Sequence, residues 1–301
     1  MTERRSSMGT KETRGVGSSS RVLALALALA TGLSLWMPVA SAAVGGSDEV
    51  PPTGKELLSA AFAVKKRSFR KEGEEKRRIL VEAVDAYRRV AAAVPDDHPS
   101  CAIAAYRVGE IWRSLGDRAE AESAFVEAAG YEDVRDVMAR SLLELGHLDR
   151  REKHFEAAIR RYEEVVTRCP QERDRVARAI VWIGKCHRAQ KRHEPAREAL
   201  RRVIDGYADQ VARLLEAYDL LAQVYLEEGK LRLAEETLAE CTARAAALET
   251  AGDETHRGLS DRVAQLKAWK KVRAARAEAE TEAGSGTKTS KMSKPGSGAV
   301  R

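Results

Sequence analysis

Residues 146–162 read GHLDRREKHFEAAIRRY, and the pattern within them returns at a fixed distance along the chain. A small residue, Gly146, is followed twelve positions later by Ala158, and a larger residue, Tyr162, follows after four more. The equivalent sets are Gly109, Ala121 and Phe125, then Gly184, Ala196 and Leu200, then Ala222, Ala234 and Leu238. Successive sets lie 37, 38 and 38 residues apart. Small residues at two points let the helices of a hairpin approach closely, so this period predicts a solenoid of stacked hairpins instead of one globular core.

The composition of the chain between its two ends indicates helices throughout. Alanine, leucine, glutamate and arginine dominate, and runs of β-branched residues are short. Apolar residues recur at steps of three and four, which is typical of amphipathic helices. We therefore predict an all-α fold.

The repeated residues resemble the tetratricopeptide repeat family, in which a small residue and an aromatic in one helix are followed by alanine and an aromatic in the next. The clearest unit comprises Gly109, Trp112, Gly116, Ala121, Phe125 and Ala128. The resemblance covers about residues 55–250 and implies about five hairpins in a right-handed superhelix. We expect the first hairpin to be degenerate, because the charged run KKRSFRKEGEEKRR (65–78) displaces its first helix. A period longer than the family's usual one suggests the exported bacterial envelope type.

The C-terminal part is expected to close the solenoid. Residues 251–283 read as one capping helix over Thr255–Glu282, with Leu259, Val263, Leu266, Trp269 and Val272 on one side. Its lysines and arginines leave open that it is a docking helix for a partner or a membrane surface. Residues 284–301 carry four positive charges, no acid and almost no bulky apolar group, so we expect a mobile tail.

The N-terminal residues 1–42 have the layout of a secretory signal peptide. An apolar run covers residues 22–40, and Ala40-Ser41-Ala42 is a small-x-small cleavage signature. We predict export to the periplasm or the medium, with a linker at 43–54 and no integral membrane domain once the signal is removed. The alternative is an uncleaved membrane anchor, because the run is nearly as long as the ~20 residues that span a bilayer.

The basic charge of the chain comes from its ends. The sequence has 52 Lys+Arg and 46 Asp+Glu, a formal net charge of +6. The signal region contributes three of these positive charges and the tail four, so the residues between them are nearly neutral. The chain therefore gives no evidence for a specific nucleic-acid partner.

No catalytic or cofactor motif stands out, so we predict a protein that is not an enzyme and needs no cofactor. Cys186, His187 and His193 match no standard zinc spacing, and no metal site is expected. The four cysteines, Cys101, Cys169, Cys186 and Cys241, are interpreted as small helix residues. The pair Cys169 and Cys186 is the best candidate for a disulfide if the exported chain forms one.

The family resemblance also implies a binding groove lined by the first helix of each hairpin. Carrying its exposed positions over gives Tyr106, Arg107, Arg113, Arg140, His147, Arg178, Trp182, Lys185 and Arg188. The fourth such helix offers instead Glu216, Asp219, Gln223 and Glu227. This pattern favours a basic groove that attracts an acidic segment, with Tyr106 and Trp182 as anchors. The alternative is a solvated face that is rich in arginine because the whole chain is.

Three functions follow from these observations. We favour an exported scaffold that binds a protein or peptide through its concave groove, and family analogy alone suggests a role in cell-envelope assembly. The second is a polyanion or cell-wall-binding module that uses the arginine-rich groove and the basic tail. The third is an enzyme with an unrecognised site, for which no cluster of residues argues.

Overall fold

The computed structural model describes residues 51–250 and 257–286. The predicted signal peptide, most of the predicted linker and residues 287–301 of the predicted tail lie outside this part. Its helices are α1 (Gly54–Lys66), α2 (Gly73–Ala93), α3 (His98–Leu115), α4 (Arg118–Ala129), α5 (Arg135–Arg151), α6 (Phe155–Arg168), α7 (Arg173–Ala189), α8 (His193–Gly206), α9 (Val211–Glu227), α10 (Leu231–Thr250), α11 (Leu259–Ala264) and α12 (Lys267–Gly286).

The first ten helices form five hairpins that stack in chain order. Each helix packs against the next one, and the first helices of neighbouring hairpins, α1, α3, α5, α7 and α9, also contact one another. No strand occurs within the described ranges 51–250 and 257–286. The predicted all-α solenoid of stacked helix hairpins is therefore confirmed.

The small residues of the repeat lie where the two helices of a hairpin come closest. A Cβ added to Gly146 would lie 2.4 Å from Cε1 of Tyr162, and one added to Gly109 would lie 2.6 Å from the Phe125 ring. Contacts this short do not occur between real atoms, so glycine is required beside an aromatic residue. The smaller partner Leu238 sits in the hairpin that has an alanine, Ala222, at the same position.

Each hairpin buries the same second-helix pair. The alanines Ala121, Ala158, Ala196 and Ala234 and the larger residues Phe125, Tyr162, Leu200 and Leu238 are all fully buried. One apolar cluster runs from α4 to α11, and a second joins the first hairpin to α3 and α4, so both clusters are shared between hairpins. Burial of this kind couples each repeat to its neighbours, as expected for a solenoid.

The turns within the hairpins share one backbone feature. Gly116, Lys153, Lys191 and Gly229 occupy the same repeat position, and their φ angles are 80°, 63°, 58° and 72°. This left-handed conformation costs a residue with a side chain about 1–2 kcal/mol, whereas glycine adopts it freely. Two of the four turns therefore carry a backbone cost that the other two avoid.

The first hairpin has both of its helices, and the charged run lengthens the connection between them. Helix α1 packs against α2 and buries Ala61 against Leu80, Val84 and Tyr87. Only the middle of the charged run at 65–78, residues 67–72, separates the two helices. The first residues of the run end α1, the next form a 3₁₀ turn at Arg67–Arg70, and the last begin α2.

The C-terminal segment differs from the single helix predicted over 255–282. The chain forms the short helix α11, breaks at Gln265 and Leu266, and continues as α12. Both helices pack against α10, and α12 also contacts α9. The break has a visible cause, because the Asp219 carboxylate on α9 accepts the backbone N–H of Ala268 at 2.8 Å and so holds the first turn of α12.

The four cysteines are buried free thiols, so Cys169 and Cys186 are not bridged. Burial raises the pKa of Cys186 to about 11 and that of Cys241 to about 12. In the described part of the chain, no three His, Cys, Asp or Glu side chains are grouped so that they could hold a metal ion. None of the helices found at 51–250 and 257–286 has the length and apolar character needed to cross a membrane.

Candidate functional site

Three successive first helices, α3, α5 and α7, enclose a cleft of about 240 Å³. Its walls are formed by Tyr106, Arg107, Glu110, Arg140, Leu143, Glu144, His147, Arg175 and Arg178. Five of the nine predicted groove residues meet here, namely Tyr106, Arg107, Arg140, His147 and Arg178. The other four, Arg113, Trp182, Lys185 and Arg188, lie on the same helices but do not line the cleft.

Many cations of these first helices pair with a carboxylate on the neighbouring hairpin. Arg113 on α3 pairs with Glu144 on α5, and Lys185 Nζ on α7 lies 2.5 Å from the Glu216 carboxylate on α9. Both pairs join residues 31 positions apart. Pairs 39 positions apart form a second series: Arg175 with Asp136, Arg213 with Asp174, and Arg188 with Glu227. The first-helix surface is therefore a ladder of ion pairs across repeats, and less uniformly basic than the sequence predicts.

Arg178 is the one cation lining the cleft that has no carboxylate partner among the described residues. Arg107 pairs with Glu110 at 2.6 Å, and Arg140 lies 2.6 Å from Asp136, a carboxylate that it shares with Arg175. Arg178 forms no ion pair with any residue of the described chain, although its side chain is partly buried. An unpaired guanidinium in a partly enclosed space is a site that attracts an anion.

His147 is buried, which corrects its expected position as an exposed groove residue. Only 8% of its surface is accessible, and its Nδ1 lies 2.7 Å from the Tyr162 hydroxyl in a hydrogen bond. Burial, together with the nearby charges of Arg178 and Arg150, lowers the pKa of His147 to about 3. His147 is therefore a neutral wall of the cleft at neutral pH, chiefly because its ring is buried and secondarily because its neighbours are positive.

Trp182 lies at the centre of a cation–aromatic cluster. The Lys185 ammonium is 3.9 Å and the Arg150 guanidinium 4.5 Å from the centre of the indole ring. The imidazole of His147 meets the same ring edge-on at 4.8 Å. Of these two cations Lys185 is also paired with Glu216, whereas Arg150 forms no ion pair with the described residues, so the ring holds one neutralised and one unneutralised cation.

The last of the first helices, α9, does not present a free acidic face. Glu216 is bound by Lys185 and also by Arg213 at 3.0 Å, and Glu227 is bound by Arg188. Asp219 receives the N–H of Ala268 and the Gln223 amide, so its carboxylate holds α12 in place. The carboxylates predicted to form one end of the groove are thus already bound by partners within the molecule.

Sequence reasoning missed Leu143, Glu144 and Arg175 as walls of the cleft. A signal for Arg175 exists, since an aspartate followed 39 positions later by an arginine occurs at 136 and 175 and again at 174 and 213. Glu144 has a similar signal in the spacing of 31 that joins it to Arg113. Leu143 has no comparable signal.

Two family profiles match the chain. One, described as tetratricopeptide repeat, matches residues 80–132 and 137–211, and a second profile of the same description matches residues 215–247. Together they cover more than half of the chain. The chain belongs to the tetratricopeptide repeat family. Repeats of this family commonly mediate protein–protein interaction, and no curated protein sequence matches the chain significantly.

Solved structures of several repeat proteins are similar to the chain. The apo form of RapI aligns with a TM-score of 0.53 at 15% identity, over 77% of this chain and 67% of RapI. The TPR-like repeats of a putative kinesin light chain from Podosopora anserina give 0.46 at 17% identity, over 65% and 98% of the two chains. Pseudomonas aeruginosa PilF gives 0.44 at 16% identity, over 73% and 89%. At such identities the likeness concerns the fold alone.

Proposed function

We propose that this tetratricopeptide repeat protein is an exported scaffold whose α3–α5–α7 cleft receives an acidic segment of a partner protein. The observation that carries this proposal is Arg178, the guanidinium in the cleft without a carboxylate partner. Its neighbours favour the same ligand, because the buried His147 remains neutral while the cations around it remain charged. An extended segment that crosses the first helices would place a carboxylate beside Arg178.

The aromatic groups at the cleft contribute the apolar part of the interaction. Tyr106 is partly buried against Phe125, with 5.6 Å between ring centres, and lines the cleft beside Arg140. Its remaining exposed edge suits an aliphatic or aromatic side chain next to the acidic residue. Trp182 acts through the cations that cover it instead of as a free hydrophobic anchor.

The proposal is tested with labelled peptides in fluorescence anisotropy. An acidic peptide with one central tyrosine is compared with its neutral counterpart, in which glutamines replace the glutamates. We expect the wild-type chain to prefer the acidic peptide, and Arg178→Glu to weaken that binding about tenfold or more, which corresponds to about 1.4 kcal/mol.

Arg202→Glu is the matched control, because Arg202 is an exposed arginine on the second helix α8 and has no ion pair among the described residues. It changes the net charge equally and leaves the cleft intact. Equal losses in the two variants would show that only the overall charge matters, and the cleft proposal would be abandoned. Far-UV circular dichroism of each variant confirms that the helices remain folded.

The same two variants distinguish acidic-peptide binding from the polyanion alternative. Binding to a polyanion such as heparin should fall steeply with salt and lose about as much in Arg202→Glu as in Arg178→Glu. The ion-pair ladder argues for the peptide, since it neutralises most cations that a continuous polyanion would need. The envelope location rests on the predicted signal, and fractionation of cells that express the full chain would test it.

A further inference from the structure

The segment at 65–78, KKRSFRKEGEEKRR, is the most strongly charged part of the described chain. It holds eight lysines and arginines and three glutamates, and residues 69–78 are all exposed. It joins α1 to α2 at the N-terminal end of the solenoid, where no earlier hairpin of the described chain covers it. The proposed cleft uses none of its residues.

The same segment exposes aromatic side chains. Phe69 is 62% exposed, and Phe62, seven positions earlier on α1, is 48% exposed. Across the described residues only Val126 and Leu233 are comparably exposed large apolar side chains, and neither is aromatic. Within residues 51–250 and 257–286, the two large exposed aromatic side chains thus lie in or just before the charged segment.

The exposure of Phe69 is built into the turn. Ser68, the residue before it, is 2% exposed and donates its hydroxyl to the Lys65 carbonyl at 2.7 Å. This bond fixes the 3₁₀ turn Arg67–Arg70 with Ser68 inward. Because Ser68 points inward, its neighbours Arg67 and Phe69 point to solvent.

Most cations of the segment have no partner. Lys65 pairs with Glu110, Arg67 with Glu82, and Lys71 with Glu75. Lys66, Arg70, Lys76, Arg77 and Arg78 form no ion pair with the described residues. This differs from the first-helix face, where the cations are largely neutralised by the next repeat.

We propose that the α1–α2 junction docks on the surface of an anionic lipid bilayer, with Phe69 entering the headgroup region and Lys66 and Arg70 contacting lipid phosphates. An anionic bilayer binds exposed aromatic groups that are flanked by unpaired cations. The ring partitions favourably into the headgroup region, and the cations are attracted by the negative surface potential. A soluble polyanion would attract the cations but would leave the rings of Phe62 and Phe69 in water. The inference does not depend on the cleft or on its ligand.

The test is co-sedimentation with vesicles of phosphatidylcholine mixed with phosphatidylglycerol, against vesicles of phosphatidylcholine alone. The chain from residue 43 is used, so that the apolar run at 22–40 cannot insert; the described helices belong to one compact unit that begins at Pro51. We expect binding to the anionic vesicles only. Lys66→Glu combined with Arg70→Glu should weaken it about tenfold or more at low salt.

Two matched controls isolate the segment. Lys291→Glu combined with Lys294→Glu makes the same change of charge in the C-terminal tail and should reduce binding about threefold at most. Phe69→Ser should weaken binding by about threefold or more, whereas Val126→Ser, which removes a half-exposed apolar group on α4, should not. Circular dichroism confirms the fold of each variant.

Each other result would overturn the proposal. Absence of binding to anionic vesicles would do so, as would an equal loss in the tail variant. If Phe69→Ser bound as the wild type does and soluble polyphosphate competed fully with the vesicles, the segment would be a polyanion site and not a bilayer contact. Peptide binding to the cleft is measured separately, so either proposal can fail alone.

Discussion

Hairpin α5–α6 and hairpin α9–α10 have the same backbone plan but opposite surfaces. The positions that carry Arg140, Leu143, His147 and Arg151 in α5 carry Glu216, Asp219, Gln223 and Glu227 in α9. In α5 the first three of these positions border an open cleft with an unpaired guanidinium nearby. In α9 they receive Lys185, Arg188 and the first turn of α12. The same repeat position therefore borders an open cleft or forms an internal joint, depending on which residues the next element places against it.

The interiors of these two hairpins differ as well. Hairpin α5–α6 pairs Gly146 with Tyr162, whose hydroxyl bonds the buried His147, whereas hairpin α9–α10 pairs Ala222 with Leu238, and its buried Tyr218 donates to the exposed Glu240. Only the first of these two polar pairs includes a buried histidine. We therefore expect the stability of hairpin α5–α6 to be more sensitive to single-atom substitutions and to pH than that of hairpin α9–α10.

The largest expected effect is the pH dependence that His147 gives to the central hairpin. Its folded pKa of about 3 lies below the unfolded value near 6.5, so the unfolded chain binds the extra proton as the pH falls between these values. We expect His147→Gln, which copies Gln223, to remove a loss of stability of up to about 3 kcal/mol between pH 7 and pH 4. Urea unfolding of both proteins at several pH values measures it. Parallel curves for the two proteins would contradict the assignment.

Gly146→Ala tests the close helix contact. The added Cβ would lie 2.4 Å from the Tyr162 ring, so the helices must separate, and we expect a loss of about 2 kcal/mol. Gly206→Ala is the control, since a Cβ there meets no atom within 4 Å. Chemical denaturation of the two variants should give losses of very different size, and similar values would refute the contact argument.

Tyr162→Phe tests the polar pair itself. It leaves the buried Nδ1 of His147 without its partner, which should cost about 1 to 2 kcal/mol. Tyr87→Phe is the control, because Tyr87 is buried at the same repeat position in α2 but no described residue hydrogen-bonds its hydroxyl. Thermal unfolding compares the two, and a larger loss in the control would rule out a special role for the pair.

The smallest effect concerns the turns. Lys153→Gly should stabilise the central hairpin by about 0.5–1 kcal/mol, because relief of the left-handed strain exceeds the entropy that glycine adds to the unfolded chain. Gly229→Lys in the last hairpin should destabilise by a similar amount. Denaturant midpoints of the reciprocal pair measure both, and changes of the same sign would contradict the turn argument.

The hairpins themselves could be predicted from the sequence because their rules are local. A small residue, a second one twelve positions on and a large one four further lie on facing helices whatever surrounds them, as Gly146, Ala158 and Tyr162 illustrate. Five residues of the predicted groove also meet in one cleft, since their spacing places them on the same side of successive first helices.

Tertiary structure decided the features that depend on contacts between hairpins. The burial of His147, the pairing of Lys185 with Glu216 and the break before α12 all depend on how far one helix is shifted and rotated against the next. The spacing of residues within one hairpin carries no information about that shift and rotation. The amino-acid sequence therefore determined which residues face the groove, while packing between repeats determined which of their charges remain free to bind.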